Sequence, residues 1–346
     1  MKINIKEIAK KARVSVATIS RASNPETRQK VAAKTLKRID TLIEKYGYTP
    51  NLAAKNLRQV TTKTIGVILP YLPGIFYSSY YIHILSGIAD SLLDTEYQFK
   101  MLLLKEEKRQ WDQYDFESGE RVDGLIITHW FKFFSRKAVL EKMNIPIVII
   151  NDFDKTVKTQ FFYADHFQGG YKVAEYLHAM GHRRIAVVLG PHWSHDSRHR
   201  LEGCKAFLAS VGISLAPDLI FSADYHEQTA YARAEELLKK KSRFTAIFCC
   251  NDQMAFGVIR KMEELGISCP KDISVVGYDD ETRSASFRPP LTTVQVPVYD
   301  LARQGTQCLI NYLRLPADSA KPLVGQTILP VALVERQSVK KITAKS

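Results

Sequence analysis

Apolar positions in the first fifty residues recur at helical spacing and predict three short helices. The first apolar stripe, at i, i+3, i+4 and i+7, consists of Ile5, Ile8, Ala9 and Ala12, and such spacing gives a helix one buried face. A third stretch over 32–46 repeats the pattern, with the apolar positions Leu36, Ile39, Ile43 and Tyr46. Gly47 and Pro50 are suited to end that helix.

The second predicted helix has an inward and an outward face. Ser15 is a suitable N-cap for it, and Ile19, Ala22 and Ser23 share the inward face. The outward face and the exposed helix start carry Val16, Ala17, Thr18, Ser20 and Arg21. Two short helices separated by a turn, the second with an unpacked face, are typical of a helix-turn-helix unit.

A different pattern begins after residue 64, where short apolar runs alternate with amphipathic stretches. The predicted strands fall into two sets of four: 65–69, 99–104, 124–128 and 146–151, then 184–189, 219–222, 245–251 and 273–279. Strands that alternate with helices indicate parallel βαβ units. The sequence therefore predicts two similar α/β lobes.

Positive charge is concentrated in the predicted helical segment. Residues 1–63 contain 15 Lys and Arg against 4 Asp and Glu, a net of +11, whereas the other 283 residues contain 34 against 32, a net of +2. A small, charge-dense module is typical of a protein that binds the phosphate backbone. On the outward face, Arg21 has the reach for guanine, Ala17 and Val16 can contact a thymine methyl, and Ser20 or Thr18 can bond a phosphate or base edge.

Composition excludes several other classes. The chain has 346 residues and 45% hydrophobic residues, enough for two or three globular domains. It shows no signal-peptide pattern and no apolar run of about 20 residues, so a cytosolic location is expected. The five cysteines form no CxxC pair and no zinc-like spacing, so we expect reduced, mostly buried thiols, and neither a metal nor a cofactor.

Motifs in a fixed order along nearly the whole chain resemble those of the LacI/GalR (lactose repressor/galactose repressor) family of bacterial transcription regulators. They include IKEIAKKARVSVATISR, YGYTPNLAAKNLR, TKTIGVILP, RVDGLII, AMGHRRIAVVLG, RLEGCKAF, FCCNDQMAFGVIRKMEELG, ISVVGYDD and PPLTTVQVPV. The resemblance implies an all-α helix-turn-helix headpiece followed by an α/β core of two Rossmann-like lobes, similar to the type I periplasmic sugar-binding proteins.

The domain boundaries implied are a headpiece at 1–50, a hinge helix and linker at 51–63, and an effector-binding and dimerisation domain at 64–340 with a tail at 341–346. Lobe 1 is expected at about 64–163 and 295–325, and lobe 2 at about 164–294 and 326–340. The chain would cross between lobes near Ala164, Val294 and residue 325.

The resemblance also implies functional residues. The expected DNA contacts are Ser15, Val16, Ala17, Thr18, Ser20, Arg21, Asn51, Ala54, Lys55 and Leu57, with Leu57 as a minor-groove wedge that kinks the duplex. In open α/β sheets ligands bind beyond the carboxyl ends of strands, and the implied effector pocket consists of Tyr80, Tyr81, His129, Trp130, Asn151, Arg200, Tyr225, Asn251 and Asp279. Such amide, charged and aromatic groups suit a sugar-like ligand, although Arg200 and Asp279 could instead form a structural ion pair, and His129 and Trp130 could simply pack between lobes.

Several positions depart from the family pattern, among them Arg13, Ala53, Lys55, Asn151 and the long loop at 71–79. Arg13 stands where a glycine is common in the helix-helix turn, so a left-handed backbone there would be strained. Asn151 stands where an aspartate is common, so the effector's identity cannot be carried over.

The leading hypothesis is a regulator, expected to be a repressor, that binds double-stranded operator DNA as a homodimer or tetramer and responds to a small sugar-like effector. The short polar tail favours the dimer. A solute-binding protein without a regulatory role would fit residues 64–340 alone, but the basic headpiece argues against it. An enzyme is the third alternative, although we find no nucleophile elbow, phosphate loop, metal motif or dinucleotide fingerprint.

Overall fold

The computed structural model describes residues 5–23, 28–46, 61–71, 75–104, 121–128, 145–316 and 321–342. The chain divides into two compact units, Met1–Thr62 and Lys63–Ser346. Six of the predicted site residues lie outside the described ranges: Asn51, Ala54, Lys55, Leu57, His129 and Trp130.

The first unit contains the three predicted helices: α1 at Ile5–Ala12, α2 at Val16–Ala22 and α3 at Ala33–Tyr46. Their shared core is formed by Ile8, Ala9, Ala12, Ile19, Ala22, Val31 and Ile39. Tyr46 was expected to face inward and does not, because its ring is 38% exposed at the end of α3. Lys11 Nζ lies 4.9 Å from the centre of that ring, a cation-π distance.

The turn between α1 and α2 has the predicted features. The Ser15 hydroxyl accepts a 3.1 Å hydrogen bond from the Thr18 amide, which confirms the N-cap. Arg13 has φ of +48°, so the left-handed turn is confirmed and carries a cost that a glycine would avoid.

The second unit is built from twelve strands and six α-helices in the described residues. The helices are α4 Ser79–Leu92, α5 His166–Ala179, α6 His195–Ser210, α7 Glu227–Leu238, α8 Asp252–Glu264 and α9 Val298–Leu313. The strands are β1 Thr64–Pro70, β2 Gln98–Leu104, β3 Gly124–Thr128, β4 Ile147–Ile150, β5 Gln160–Ala164, β6 Ile185–Leu189, β7 Ile220–Ser222, β8 Ala246–Cys249, β9 Ser274–Val276, β10 Thr293–Gln295, β11 Gly325–Leu329 and β12 Ala332–Val334.

Two parallel sheets form the two lobes. The described strands of lobe 1 are ordered β11-β5-β4-β3-β1-β2, those of lobe 2 are ordered β7-β6-β8-β9, and every pair in both sheets is parallel. All eight runs identified from the sequence form strands. The inner strands bury most of their apolar residues, whereas the edge strands β2 and β7 are partly exposed. The sequence pattern missed four strands: β5 and β11, which are adjacent in lobe 1, and β10 and β12, which pair with each other.

Three segments connect the lobes. The chain leaves the first sheet after β5, returns between β10 and α9, and leaves again between β11 and β12. These segments lie side by side, because β11 pairs with β5 and β10 pairs with β12 in an antiparallel ribbon. The Asp165 amide also donates a 3.0 Å hydrogen bond to the Leu329 carbonyl.

The cysteines agree with the prediction of reduced, mostly buried thiols. All five thiols are free; Cys204, Cys249 and Cys250 are buried, while Cys269 and Cys308 are half-buried. Within the described ranges, no group of three or more His, Cys, Asp or Glu side chains is arranged to hold a metal ion. Nor does any described helix have the length and apolar character needed to span a membrane.

Candidate functional site

The outward face of α2 presents Ala17 and Arg21, two of the residues predicted to read DNA. Ala17 and Arg21 are exposed, whereas Val16 is half-buried against the headpiece core. The Ser15 and Thr18 hydroxyls lie 2.9 Å apart in a hydrogen bond at the helix start. The helix therefore offers a small apolar surface beside a long cationic side chain, and its first turn is held by Ser15.

A cavity of about 1210 Å³ lies between the lobes of the second unit. Lobe 1 contributes the start of α4 and the residues before it, and lobe 2 contributes loops that follow its strands, as expected for a ligand site in parallel α/β sheets. Six of the predicted effector residues line it: Tyr80, Tyr81, Arg200, Tyr225, Asn251 and Asp279.

Arg200 forms the buried cationic part of the cavity wall. It is only 2% exposed, and its guanidinium carbon lies 3.9 Å from the centre of the Tyr278 ring. Nη2 donates to Asp196 at 3.1 Å and lies 3.6 Å from Asp279 Oδ1, while Nη1 donates to the Cys250 carbonyl. The predicted ion pair of Arg200 with Asp279 thus exists, and it lies in the cavity wall.

Two glycines allow α5 and α6 to pack closely at Arg200. A Cβ at Gly170 on α5 would lie 1.8 Å from the Arg200 carbonyl oxygen, and a Cβ at Gly203 on α6 would lie 1.9 Å from the Phe167 carbonyl oxygen. Both distances are far below van der Waals contact, so α5 and α6 approach this closely because neither position has a side chain.

Asp279 is a buried carboxylate with an incompletely satisfied oxygen. Its Oδ1 is beyond hydrogen-bond distance of Arg200 and has no hydrogen-bond partner among the described residues. Burial raises the pKa of Asp279 well above its ordinary value, although the nearby Arg200 opposes that shift. The residue also has φ of +106°, a conformation that is costly for a non-glycine residue and is found mainly at functional sites.

Tyr225 is anchored beside this ion pair. Its hydroxyl lies 2.7 Å from Ser194 Oγ and donates to Asp196 at 3.1 Å, and its backbone has φ of +67°. A Cβ at Gly190 would lie 2.2 Å from Tyr225 Cζ, so the glycine leaves room for the ring. Hydrogen bonds at the hydroxyl and packing of the ring against Gly190 therefore fix the position of Tyr225 in the cavity wall.

Asn151 and Asn251 have structural partners that the sequence did not predict. Asn151 does not line the cavity; its amide lies behind Tyr80 and donates a 2.6 Å hydrogen bond to the tyrosine hydroxyl. Its position at the end of a central strand explains this difference, because β4 and its neighbours bury that end. Asn251 does line the cavity, but its Oδ1 caps α8 by accepting from the Met254 amide at 2.9 Å.

The sequence analysis missed a set of polar contacts that join the lobes. The Ser78 hydroxyl of lobe 1 donates to Glu281 of lobe 2 at 2.7 Å, and Gln253 donates to the other Glu281 oxygen at 2.8 Å. Beside them, the Thr282 amide donates to Ser79 Oγ at 3.2 Å. The separation of 203 positions between Ser78 and Glu281 leaves no signal in a local pattern. Asp196 was also missed, although its i,i+4 spacing from Arg200 is a usable helical signal.

Comparisons with known proteins match this two-part architecture. The model described as bacterial regulatory proteins of the lacI family matches residues 4–51, and that of a periplasmic binding protein-like domain matches residues 174–339. Catabolite control protein A of Priestia megaterium is 30% identical over 347 residues, covering 98% of this chain and 100% of that protein.

The chain belongs to the LacI family of bacterial regulatory proteins. Among solved structures, the Lac repressor dimer bound to operator and the anti-inducer ONPF has a TM-score of 0.80 at 26% identity, covering 98% of this chain and 100% of the other. A LacI family transcriptional regulator from Enterococcus faecium with bound ribose has a TM-score of 0.68 at 26% identity, covering 81% of this chain and 100% of the other.

LacI-family membership confirms the resemblance drawn from the sequence motifs and the expected fold, a helix-turn-helix headpiece with a periplasmic-binding-protein-like core. It also makes the chain a DNA-binding transcription regulator. The roles of its individual side chains are not fixed by family membership, since the relatives share fewer than a third of their residues with it.

Proposed function

We propose that the chain is a cytosolic, homodimeric repressor that binds a pseudo-palindromic operator through its headpieces and is controlled by a sugar-like effector in the interlobe cavity. The observation that carries the effector role is the cavity itself, where Arg200, Asp279 and Tyr225 are fixed by their neighbours. Preorganised polar groups beside aromatic rings are typical of sites that orient hydroxylated ligands.

The exposed face of α2 supports a role in reading operator sequence. Arg21 extends from the outward face beside Ala17, and a guanidinium can bond both acceptors of guanine in the major groove. The hinge residues Asn51, Ala54, Lys55 and Leu57 lie outside the described residues, so their DNA contacts stay predictions of the sequence, as do the effector contacts of His129 and Trp130.

Ligand-bound structures of relatives support a small effector. The Lac repressor structure holds the anti-inducer ONPF, and the Enterococcus faecium regulator holds ribose. In this chain, a ligand that contacts both lobes would stabilise one degree of lobe closure over another, and only such differential affinity can shift a conformational equilibrium. The coupling is reciprocal, so operator DNA would change effector affinity by the same factor.

The decisive experiment has two stages. The purified full-length protein selects its preferred site from a random DNA library, and binding to that site is then titrated at physiological salt with a panel of sugars. Site-specific binding that one compound changes would support the proposal and give the sign of regulation. Weak, salt-sensitive binding without a selected sequence, unaffected by every compound, would contradict it.

A cavity variant provides the matched control. Asp279→Asn should leave site-specific DNA binding intact while reducing the response to the active compound, because the substitution lies in the second compact unit and alters one cavity acceptor. A variant that binds the selected site normally and responds to the active compound as the wild type does would assign Asp279 to another role.

A further inference from the structure

We propose that Arg28 is a positioning residue for DNA recognition. It holds the C-terminal end of α2 against α3 and thereby sets the orientation of Arg21 on the exposed face of α2. This inference rests on the proposed role of α2 in reading operator sequence and adds to it a residue that lies outside that helix.

Arg28 joins the C-terminal end of α2 to α3 through its guanidinium group. Nη1 donates a 2.8 Å hydrogen bond to the carbonyl of Ala22, the last residue of α2. Nη2 donates a 2.6 Å hydrogen bond to Asp40 Oδ2 on α3. A guanidinium is planar and rigid, so the two bonds together restrict both the distance and the direction between their acceptors.

The C-terminal end of α2 depends on such a bond. The last carbonyls of a helix have no intrahelical partners, and a helix of seven residues is too short to be stable without tertiary contacts. Ser23, the C-cap residue, does not supply a side-chain cap, because its buried Oγ has no hydrogen-bond partner among the described residues. The positive charge of Arg28 also interacts favourably with the C-terminal end of the helix dipole.

The capped carbonyl lies next to the residue predicted to read guanine. Ala22 directly follows Arg21, and Ile19 and Ala22 pack with Ile39 in the headpiece core. Apolar packing of this kind has no preferred direction, whereas a two-bond contact between a guanidinium and guanine needs a defined distance and angle. The directional bonds of Arg28 supply the constraint that the apolar core lacks.

The partner of Arg28 gives the proposal a prediction opposite to that of simple electrostatics. The ion pair is exposed, with 43% of the Arg28 side chain and 45% of the Asp40 side chain accessible, and such pairs add little to overall stability. Asp40 is a negative charge in a basic DNA-binding unit, so electrostatics alone predicts that its removal strengthens DNA binding. A positioning role predicts that its removal weakens binding to the specific site.

The test compares two variants of matched charge in the full-length protein. Fluorescence anisotropy measures affinity for the site selected from the random library and for random DNA. Arg28→Ala and Asp40→Asn should each reduce the preference for the selected site by roughly 3- to 10-fold. Glu44→Gln removes the same charge from an exposed position on α3 and should leave that preference unchanged. If Asp40→Asn behaves as Glu44→Gln does, the proposal is overturned.

Salt titrations distinguish positioning from a phosphate contact. We expect Arg28→Ala to leave the slope of log K against log salt concentration unchanged, and the double variant Arg28→Ala/Asp40→Asn to bind no more weakly than Arg28→Ala, because both changes break one interaction. A slope reduced by about 1, with equal losses on both DNAs, would make Arg28 a phosphate contact and overturn the positioning role.

Hydrogen exchange measured by mass spectrometry distinguishes positioning from a general loss of headpiece stability. Arg28→Ala should speed amide exchange in α2 and leave exchange in α1 and α3 as in the wild type. Equally faster exchange in all three helices would overturn the proposal.

Arg21→Ala, measured in the same binding assay, separates this inference from the proposed function. If Arg21→Ala does not change the preference for the selected site, the reading role of α2 fails and the inference fails with it. If Arg21→Ala reduces that preference while Arg28→Ala and Asp40→Asn do not, the reading role stands and only the inference fails.

Discussion

The hydroxyl of Ser78 donates a 2.7 Å hydrogen bond to the carboxylate of Glu281, and this bond joins the two lobes beside the cavity. Glu281 is 5% exposed, and its second oxygen accepts from Gln253 within lobe 2. A carboxylate held by lobe 2 and bonded by lobe 1 stabilises the observed arrangement of the two lobes.

Ser78→Ala should weaken closure without unfolding either lobe. Loss of one hydrogen bond to a charged group is expected to destabilise the closed form by about 1.5–3 kcal/mol. A ligand that binds the closed form should then bind more weakly, as measured by calorimetry, and the dimer should scatter X-rays as a more open particle. Ser86→Ala is the control, because Ser86 Oγ bonds only the Ile82 carbonyl within α4 among the contacts described. Equal effects of both variants would exclude this role for Ser78.

Asp252 should make stability depend on pH. Burial raises the pKa of Asp252 to about 7, opposed by hydrogen bonds from Ser284, Thr293 and the Glu281 amide. The unfolded chain loses this proton near its ordinary pKa of about 3.9, so between these values the folded state binds more protons. The free energy of unfolding should therefore fall as pH rises through this window, by at most about 1.4 kcal/mol per pH unit from this group.

Denaturant unfolding from pH 4 to pH 7.5 checks this dependence. Burial also raises the pKa of Asp279 and Glu281, so the wild type combines several slopes of the same sign. Asp252→Asn should make the free energy of unfolding fall less steeply with rising pH. Glu175→Gln, at an exposed site, is the control and should leave that pH dependence unchanged. An unchanged slope in Asp252→Asn would mean that Asp252 is ionised across the whole range.

Arg21→Ala should discriminate between specific and random DNA. Because Arg21 lies on the exposed face of α2, we expect a loss of about 1–3 kcal/mol on the selected site and little change on random DNA. Fluorescence anisotropy at fixed salt measures the affinity for the selected site and for random DNA. Lys37→Ala, on the exposed surface of α3, should weaken binding to the selected site and to random DNA by the same factor. If Arg21→Ala behaves in the same way, Arg21 contacts phosphate.

Gly170→Ala should disturb the cavity from a distance. The added methyl group would overlap the Arg200 carbonyl, and relief of such overpacking typically costs about 1–3 kcal/mol. We expect a lower midpoint of unfolding and weaker effector binding, because α6 carries both Arg200 and Asp196. Lys205→Ala, exposed on the same helix, should change neither quantity. Wild-type stability in Gly170→Ala would show that the helices can separate at little cost.

Local patterns were sufficient for most of the fold. Runs such as 65–69 and 245–251 are continuous and apolar because their strands are covered on both faces, and the headpiece stripes follow the helical period. β11 escaped detection because it alternates partly buried and exposed residues at a sheet edge.

Site residues could be predicted where they follow a strand or belong to a sequence motif. They could not be predicted where contacts between distant segments determine the position of the side chain. Arg200, Tyr225 and Asp279 do line the cavity. Asn151 was expected in the effector pocket but bonds the Tyr80 hydroxyl instead of lining the cavity, since its orientation depends on which strands bury the end of β4. The contact of Ser78 with Glu281 depends on how the two lobes meet, which no single segment encodes.

The three adjacent connections between the lobes have a mechanical consequence. A single connecting strand would let one lobe twist, slide and bend relative to the other, but three adjacent strands held by main-chain hydrogen bonds resist twisting and sliding. Bending about a line across all three is then the softest motion. A ligand contact at the cavity should therefore be converted mainly into rotation of one lobe relative to the other about a single axis.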